Sequence, residues 1–224
     1  MNKYEVIAKI EAFAPLDLQE KWDMSGWIVD NHLSEVNKVL FALTVTDDVY
    51  NQALSLGCDM IIAHHPLFCV PLEFKDINIY SAHTNFDKTI GGTTDILIRE
   101  LGLKGEVYND FVRVVTLEQE MTVQEFIEKL KIVSPNLRYI NRKNIESIKK
   151  IAFCAGSGSE FISQTDADAF VTGDLKFHTA LDSDKIVFDI GHFESEILSV
   201  KYLKEISGLG SKGIIANEKN PFMY

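Results

Sequence analysis

An apolar β-prone run, a helical segment and a second apolar run follow one another between residues 36 and 63. This alternation constrains the fold more than any other feature of the chain. Residues 36–45 read VNKVLFALTV, residues 47–56 have helical character, and residues 58–63 read CDMIIA. A helix between two buried strands allows parallel pairing, so the segment predicts an α/β sheet. Such sheets normally bind ligands at the carboxyl ends of their strands, and His64 and His65 stand at that position.

A second stretch repeats this order. Residues 148–154 (IKKIAFC) predict a strand, 156–159 (GSGS) a tight turn, 159–164 a short helix and 169–171 another strand ending at TGD. Residues 58–64 (CDMIIAH) also align with 167–173 (ADAFVTG), so we interpret the chain as a degenerate internal duplication of two related α/β units facing one another. No linker rich in Pro, Gly or Ser divides them.

Further helices have clear sequence signals. Residues 3–13 place Val6, Ile7, Ile10 and Phe13 on one helical face before Pro15. Within residues 112–135, a β-prone stretch precedes an amphipathic helix whose start carries Thr122 and, three residues on, Glu125.

The GSGS turn has two interpretations. It could cradle a phosphate at a helix N-terminus. The favoured interpretation is a capping box of Ser157 and Glu160, which requires no ligand.

Composition excludes some functions. The formal net charge of −11 repels a phosphate backbone, so general nucleic-acid binding is not expected. One basic face is formed by Arg138, Arg142, Lys143, Lys149 and Lys150, and we interpret it as a solvated surface. No apolar run approaches the roughly 20 residues that span a bilayer, and no basic segment with an apolar core marks an N-terminal signal. We therefore expect no membrane association and a cytoplasmic location.

The three cysteines predict no disulfide. Cys58, Cys69 and Cys154 are odd in number, lack CxxC spacing and lie beside apolar runs. They indicate reduced, buried residues rather than zinc ligands or bridges. A catalytic cysteine is the weaker alternative, because none has an electropositive setting.

Histidines and carboxylates at strand ends predict a metal site. The candidate ligands are His64, His65, Asp87, His192 and Glu196. His192 and Glu196 are four residues apart at the start of a predicted helix, so both side chains can face one point. Adjacent imidazoles do not easily bind one ion together, but they can bind two ions about 3.5–4 Å apart, with Asp87 or Glu196 bridging. Mixed nitrogen and carboxylate ligands suit zinc, manganese, iron, cobalt or nickel.

His83 and His178 are the candidate catalytic residues. Each follows an apolar run, and His83 precedes Asp87 by four residues. Either could carry a proton in metal-assisted hydrolysis, whereas a lone histidine of this kind is more often only hydrogen-bonded. The same metals would serve a phosphoester hydrolase equally well. The rival class is a non-enzymatic metal-binding protein or interaction scaffold.

The order of these motifs resembles the Nif-three-like family, whose members are often named type-two GTP cyclohydrolase I. The blocks are Trp22-Asp23 with Gly26, IIAHHPLF, SAHTNFD, CAGSGSEFI, VTGDLKFHTALD and DIGHFESE. The resemblance implies that the five candidate ligands hold two divalent ions per chain and that His83 and His178 line the same cavity. It also implies a toroidal homohexamer, assembled as a trimer of dimers, and a small-molecule substrate such as a nucleotide.

Some positions depart from the family pattern. Met24 replaces the usual asparagine, Thr44 the usual aspartate, and Asp30 a usual glycine, and the segment between residues 68 and 80 is short. No proposed ligand is replaced. The expected fold is therefore two related α/β units of Nif-three-like type, with a metal site at strand ends between them. Residues 1–105 and 186–224 are expected to form the metal-binding unit, and 106–185 a closely packed second unit.

Overall fold

Two compact units make up the chain. The computed structural model describes residues 1–223. The first unit contains residues 1–92 and 199–219, and the second contains residues 93–198 and 220–223. These boundaries differ from the expected ones, because residues 93–105, 186–198 and 220–223 cluster with the second unit.

The elements alternate along most of the chain. The α-helices are α1 (Lys3–Phe13), α2 (Asp47–Leu56), α3 (Thr84–Lys88), α4 (Thr93–Glu100), α5 (Val123–Leu130), α6 (Phe177–Asp182) and α7 (His192–Ser207). The strands are β1 (Gly26–Val29), β2 (Val39–Ala42), β3 (Met60–Ala63), β4 (Asn78–Ser81), β5 (Glu106–Val107), β6 (Arg113–Thr122), β7 (Arg138–Ile140), β8 (Ser147–Phe153), β9 (Ala169–Thr172), β10 (Ile186–Asp189) and β11 (Gly213–Ile215). Short 3-10 helices cover Leu16–Leu18, Leu72–Asp76, Ser159–Gln164 and Gly210–Lys212.

A five-stranded sheet forms the first unit, in the order β1-β4-β3-β2-β11. The pairs β4-β3, β3-β2 and β2-β11 are parallel, and β1 is antiparallel at one edge. Every residue of β2, β3 and β4 is buried, as expected for parallel strands covered on both faces. The predicted α/β sheet is confirmed, although the first predicted strand is shorter than residues 36–45.

The helix predicted at residues 47–56 is confirmed at both ends. Thr46 caps its start by accepting the backbone N–H of Val49, and acidic Asp47 and Asp48 lie in the first turn, where the helix dipole favours negative charge. Gly57 ends it in the left-handed conformation, with φ of +64°. This helix makes the crossover that sets β2 and β3 parallel and brings the residues after β3 to the carboxyl edge of the sheet.

A six-stranded sheet forms the second unit, in the order β5-β6-β8-β9-β10-β7. Its centre, β8-β9-β10, is parallel, and the outer pairs are antiparallel. Phe126 from α5 packs against Phe153 and Phe188 in its core. The capping box of Thr122 and Glu125 at the start of α5 is confirmed. Because β10 pairs inside this sheet, it lies in the second unit rather than the first.

Two sequence predictions are wrong. The 3-10 helix Ser159–Gln164 is capped by Gly158 without a side-chain hydrogen bond, so Ser157 and Glu160 form no capping box there. Cys69 is exposed, whereas Cys58 and Cys154 are buried as expected, and none of the three is in a disulfide. The exposed cysteine lies in the short segment that follows Pro66, where the chain leaves the sheet.

Within residues 1–223, no helix is both long enough and apolar enough to cross a bilayer.

Candidate metal-binding residues

His64 and His65 follow β3 directly, at the carboxyl edge of the first sheet. Their backbone N–H groups donate to the carbonyls of Ala42 and Leu43 at 3.1 and 2.8 Å, so the chain stays paired beyond the last strand residue. The ring centroids lie 5.0 Å apart at an interplanar angle of 44°. The end of the strand thus places both imidazoles side by side, as the sequence predicted.

The partners of the ring nitrogens indicate which atom of His64 could bind a metal. Nδ1 of His64 lies 2.8 Å from the carbonyl oxygen of Ala82. A carbonyl only accepts, so Nδ1 carries the hydrogen and the lone pair of the neutral ring is at Nε2. That nitrogen lies 3.5 Å from Oδ1 of Asp87.

This donor set fits a metal ion. In the neutral state, the lone pair of His64 Nε2 and the carboxylate of Asp87 are two acceptors directed at each other, an arrangement that a bound cation would stabilise. Histidines that bind metals usually donate their other ring N–H to a carbonyl or carboxylate, as His64 does to Ala82. His64 is fully buried and the side chain of Asp87 is 15% exposed, so limited contact with water would strengthen their attraction to a cation.

His83 joins this group. It stands at the start of α3, and its carbonyl accepts the backbone N–H of Asp87 at 3.0 Å. Its ring centroid is 5.2 Å from that of His64 and 5.6 Å from that of His65. One ring nitrogen from each of the three histidines lies within 4.8 Å of the others, a geometry that could hold a metal ion.

Asp23 holds the ring of His83 in place. The sequence motifs did not identify it as a functional residue. Its Oδ1 accepts from Nδ1 of His83 at 2.8 Å, and its Oδ2 accepts from Ser25 Oγ and from the backbone N–H of Thr84. Burial alone would raise the pKa of Asp23, but the hydrogen bonds from His83, Thr84 and Ser25 outweigh it and hold the pKa well below its usual range. A carboxylate that is ionised at neutral pH therefore accepts from Nδ1 and fixes the ring with Nδ1 protonated. Its only sequence signal was its place in the Trp22-Asp23 motif.

His192 and Glu196 form the predicted pair in the second unit. They lie on the first turns of α7, with Nε2 of His192 2.9 Å from Oε2 of Glu196. Nδ1 of His192 is 2.6 Å from Oδ2 of Asp174. Burial alone would lower the pKa of His192, but the hydrogen bonds and charges of Glu196 and Asp174 raise it to about 10. Without a metal, the ring is therefore an imidazolium between two carboxylates.

Asp174 is a second carboxylate that supports a histidine and that the sequence motifs did not identify. Its backbone φ of 53° is in the left-handed region, which is uncommon for a residue other than glycine. It follows β9 and Gly173, so the end of one strand carries its carboxylate to a histidine that begins the helix after the next strand. Carboxylate support of this kind is typical of histidines that bind metals.

Gly156 makes space for Glu196. Its φ is +67°, and a Cβ there would lie 2.2 Å from Oε1 of Glu196 and 3.6 Å from Nε2 of His192. Its backbone N–H donates to Ser195 Oγ at 2.9 Å, which ties the turn after β8 to α7. Within the GSGS turn, a side chain at this position would therefore displace the carboxylate of Glu196 from its place beside His192.

His178 lies on α6 in the second unit and is exposed. Its ring packs edge-on against Phe177 with centroids 5.5 Å apart. Its predicted catalytic role stays a prediction, as does the assignment of the five metal ligands.

Comparison with known proteins provides a family context. Residues 1–212 match the family described as Duf34/NIF3 (NGG1p interacting factor 3). A Clostridium perfringens protein named GTP cyclohydrolase 1 type 2 homolog is 34% identical over 262 aligned positions, with 100% of both chains covered.

Two solved structures share the fold. The Bacillus cereus protein related to NIF3 superposes with a TM-score of 0.87, 22% identity and coverage of 100% of this chain and 99% of that one. The reduced HcgD protein of Methanocaldococcus jannaschii superposes with a TM-score of 0.83, 28% identity and 96% coverage of both chains. The predicted fold class is thereby confirmed, and the histidine and carboxylate groups fit a metal-binding protein of this type.

Proposed function

Because the chain belongs to the Duf34/NIF3 family, we propose that it binds two divalent transition-metal ions and uses them for hydrolysis. The proposed ligands are His64, His65 and Asp87 in the first unit and His192 and Glu196 in the second. Zinc, manganese, iron, cobalt and nickel all suit this mixture of imidazole and carboxylate.

One observation carries the metal proposal. His64 donates through Nδ1 to a carbonyl, and its Nε2 is directed at the carboxylate of Asp87 at 3.5 Å. A cation bound by both His64 and Asp87 would stabilise this pair of acceptors. His192 is a different case: Asp174 holds its Nδ1 at 2.6 Å, and a cation that replaced the proton on Nε2 would be shared with Glu196, whose Oε2 lies 2.9 Å away.

Hydrolysis is the chemistry that these ions would support. When bound, they supply a water whose pKa is lowered towards 7 and polarise the bond to be broken. Nε2 of His83 then takes the proton that the attacking water loses, while Asp23 holds Nδ1 of the same ring. His178 is the second proposed proton carrier. The name GTP cyclohydrolase 1 type 2 homolog, carried by the Clostridium perfringens relative, supports a nucleotide as the substrate class.

Elemental analysis of the purified protein tests metal binding. We expect about two ions per chain after incubation with zinc or manganese. Changing His64 or His65 to Ala should lose one ion, and changing the bridging carboxylate, Asp87 or Glu196, should lose both. His32→Ala is the matched control, because His32 is exposed and outside both ligand sets. Well-folded protein that takes up no metal would overturn the proposal.

A substrate screen separates an enzyme from a scaffold. The metal-loaded protein would be assayed with nucleotides, phosphodiesters and cyclic amides, with His64→Ala as the metal-deficient control. Turnover that requires the ions supports the hydrolase. Metal binding without turnover of any class would favour the non-enzymatic scaffold.

The quaternary structure is proposed to be a homohexamer, a trimer of dimers. Large exposed apolar side chains, such as Phe68, Leu72 and Phe177, provide surface that subunit contacts could cover. Light scattering should give six times the chain mass of 25.3 kDa. A monomer at all concentrations would contradict this assembly.

A further inference from the structure

We propose that Thr44, held in place by Glu218, is a positioning residue that prepares His65 to bind a metal ion. This inference rests on the metal binding proposed above and concerns one ligand of that site. It assigns a role to a residue that departs from the family pattern and to a residue far along the chain.

The contact between Thr44 and His65 is short. Oγ1 of Thr44 lies 2.7 Å from Nδ1 of His65, just past the ends of the adjacent strands β2 and β3. A hydroxyl can either donate or accept. When it accepts the N–H of Nδ1, the lone pair of the neutral ring is at Nε2, the nitrogen that would bind the ion. With this direction of the hydrogen bond, the hydroxyl orients the ring and supports the tautomer whose Nε2 can coordinate.

Glu218 fixes the backbone that carries this hydroxyl. Its two carboxylate oxygens accept the backbone N–H groups of Leu43 and Thr44 at 2.6 and 2.9 Å. Hydrogen bonds to a charged acceptor are among the stronger ones in proteins. The end of β2 is therefore clamped from the side where β11 pairs with it.

The segment before Glu218 is itself held in register. β11 pairs in parallel with β2, and the backbone N–H of Ala216 continues the ladder to the carbonyl of Phe41 at 2.8 Å. Gln52 on α2 then forms two hydrogen bonds with the backbone of Asn217, at 2.9 and 3.0 Å. These contacts bring Glu218 to the end of β2, so its carboxylate is placed by the sheet.

The link to metal binding is the side chain of Thr44. Glu218 by itself could serve only to attach the segment after β11. The hydroxyl contact connects that clamp to an imidazole proposed as a ligand, and removal of such a supporting partner typically lowers metal affinity 10–100-fold.

The test measures zinc affinity by competition with a chromophoric chelator. Thr44→Val keeps the shape of the side chain but removes the hydroxyl, and it should weaken the binding of one zinc ion about 10–100-fold. Thr44→Ser restores the hydroxyl and should restore affinity. Thr44→Ala is the second variant if Thr44→Val does not fold.

Thr46→Val is the matched control, since Thr46 caps α2 two residues away. It should lower the melting temperature without changing zinc affinity.

A double-mutant cycle tests the role of Glu218. Glu218→Gln should weaken zinc binding in the wild-type background and add nothing in the Thr44→Val background, because Glu218 acts through Thr44. Full, independent effects of both changes would overturn the coupling. Wild-type zinc affinity in both Thr44→Val and Thr44→Ala would overturn the inference while leaving metal binding intact. Failure of the wild-type protein to bind zinc would instead overturn the proposed function.

Discussion

Substitution of Gly156 by Ala should damage metal binding more than it damages the fold. The Cβ atom of the new alanine would lie 2.2 Å from Oε1 of Glu196, far inside any normal contact distance. The carboxylate lies at the end of a flexible side chain, so it can move away at little cost to the fold. A shift of about 1 Å is well beyond the ~0.2 Å tolerance of a metal–ligand bond.

The expected cost to stability can be worked out separately. Alanine in the left-handed region costs about 1–2 kcal/mol, which lowers the melting temperature of a chain of this size by roughly 2–8 °C. Gly102 has the same φ of +67° with no atom within 4 Å of the added Cβ, so Gly102→Ala is the matched control. It carries the same backbone strain but no contact with a carboxylate.

The assay is zinc competition together with thermal unfolding of both variants. Both should melt below the wild type by a similar amount. Only Gly156→Ala should bind zinc at least about tenfold more weakly, a difference of ~1.4 kcal/mol. Equal zinc affinity of the two variants would refute the role of Glu196 as a ligand or the space that Gly156 provides for it.

Three further predictions follow from other contacts. His83→Gln should retain the metal ions and lower turnover of any nucleotide that the metal-loaded protein hydrolyses by roughly 10²–10⁴-fold, and loss of an ion would instead make His83 a ligand. Lys3→Met should lower the free energy of unfolding, measured in urea, by roughly 2–3 kcal/mol. The reason is that the buried ammonium donates to Asn78 and pairs with Asp30 at 2.6 Å. A decrease below about 1 kcal/mol would contradict this role of Lys3. In metal-free protein, the raised pKa of His192 contributes stability that is complete below its ordinary pKa of 6.5 and is lost as pH rises towards about 10. Denaturation at pH 6–10 should show this decline in the wild type, and His192→Gln should lack that part of it.

The elements that could be predicted from the sequence carry their signals in neighbouring residues. The helix at residues 47–56 has a threonine cap and a glycine end, and both act within one turn of it. The turn after β3 was predictable because adjacent histidines can lie side by side only where a strand ends. Ser157 looked equally suitable as a cap, but Gly158 took that position, since spacing alone does not fix where a short helix begins.

Long-range partners could not be predicted. Asp23 and Asp174 are 60 and 18 residues from the histidines that they support, and no periodicity connects them. The division of the chain into two units depends on long-range pairing in the same way. β10 is an apolar run like the strands of either sheet, and only its pairing with β9 and β7 assigns it to the second one.

The interruption of the first unit by the second imposes an order on folding during synthesis. β2, β3 and β4 are made first, but β11 follows only after the second unit. Chains fold from the N-terminal end as they emerge, so β2 has an open edge during that interval. This edge, Val39–Ala42, is entirely apolar, and such edges pair readily with other chains. A nascent chain that stalls or is cleaved before residue 213 therefore exposes a strand prone to aggregation.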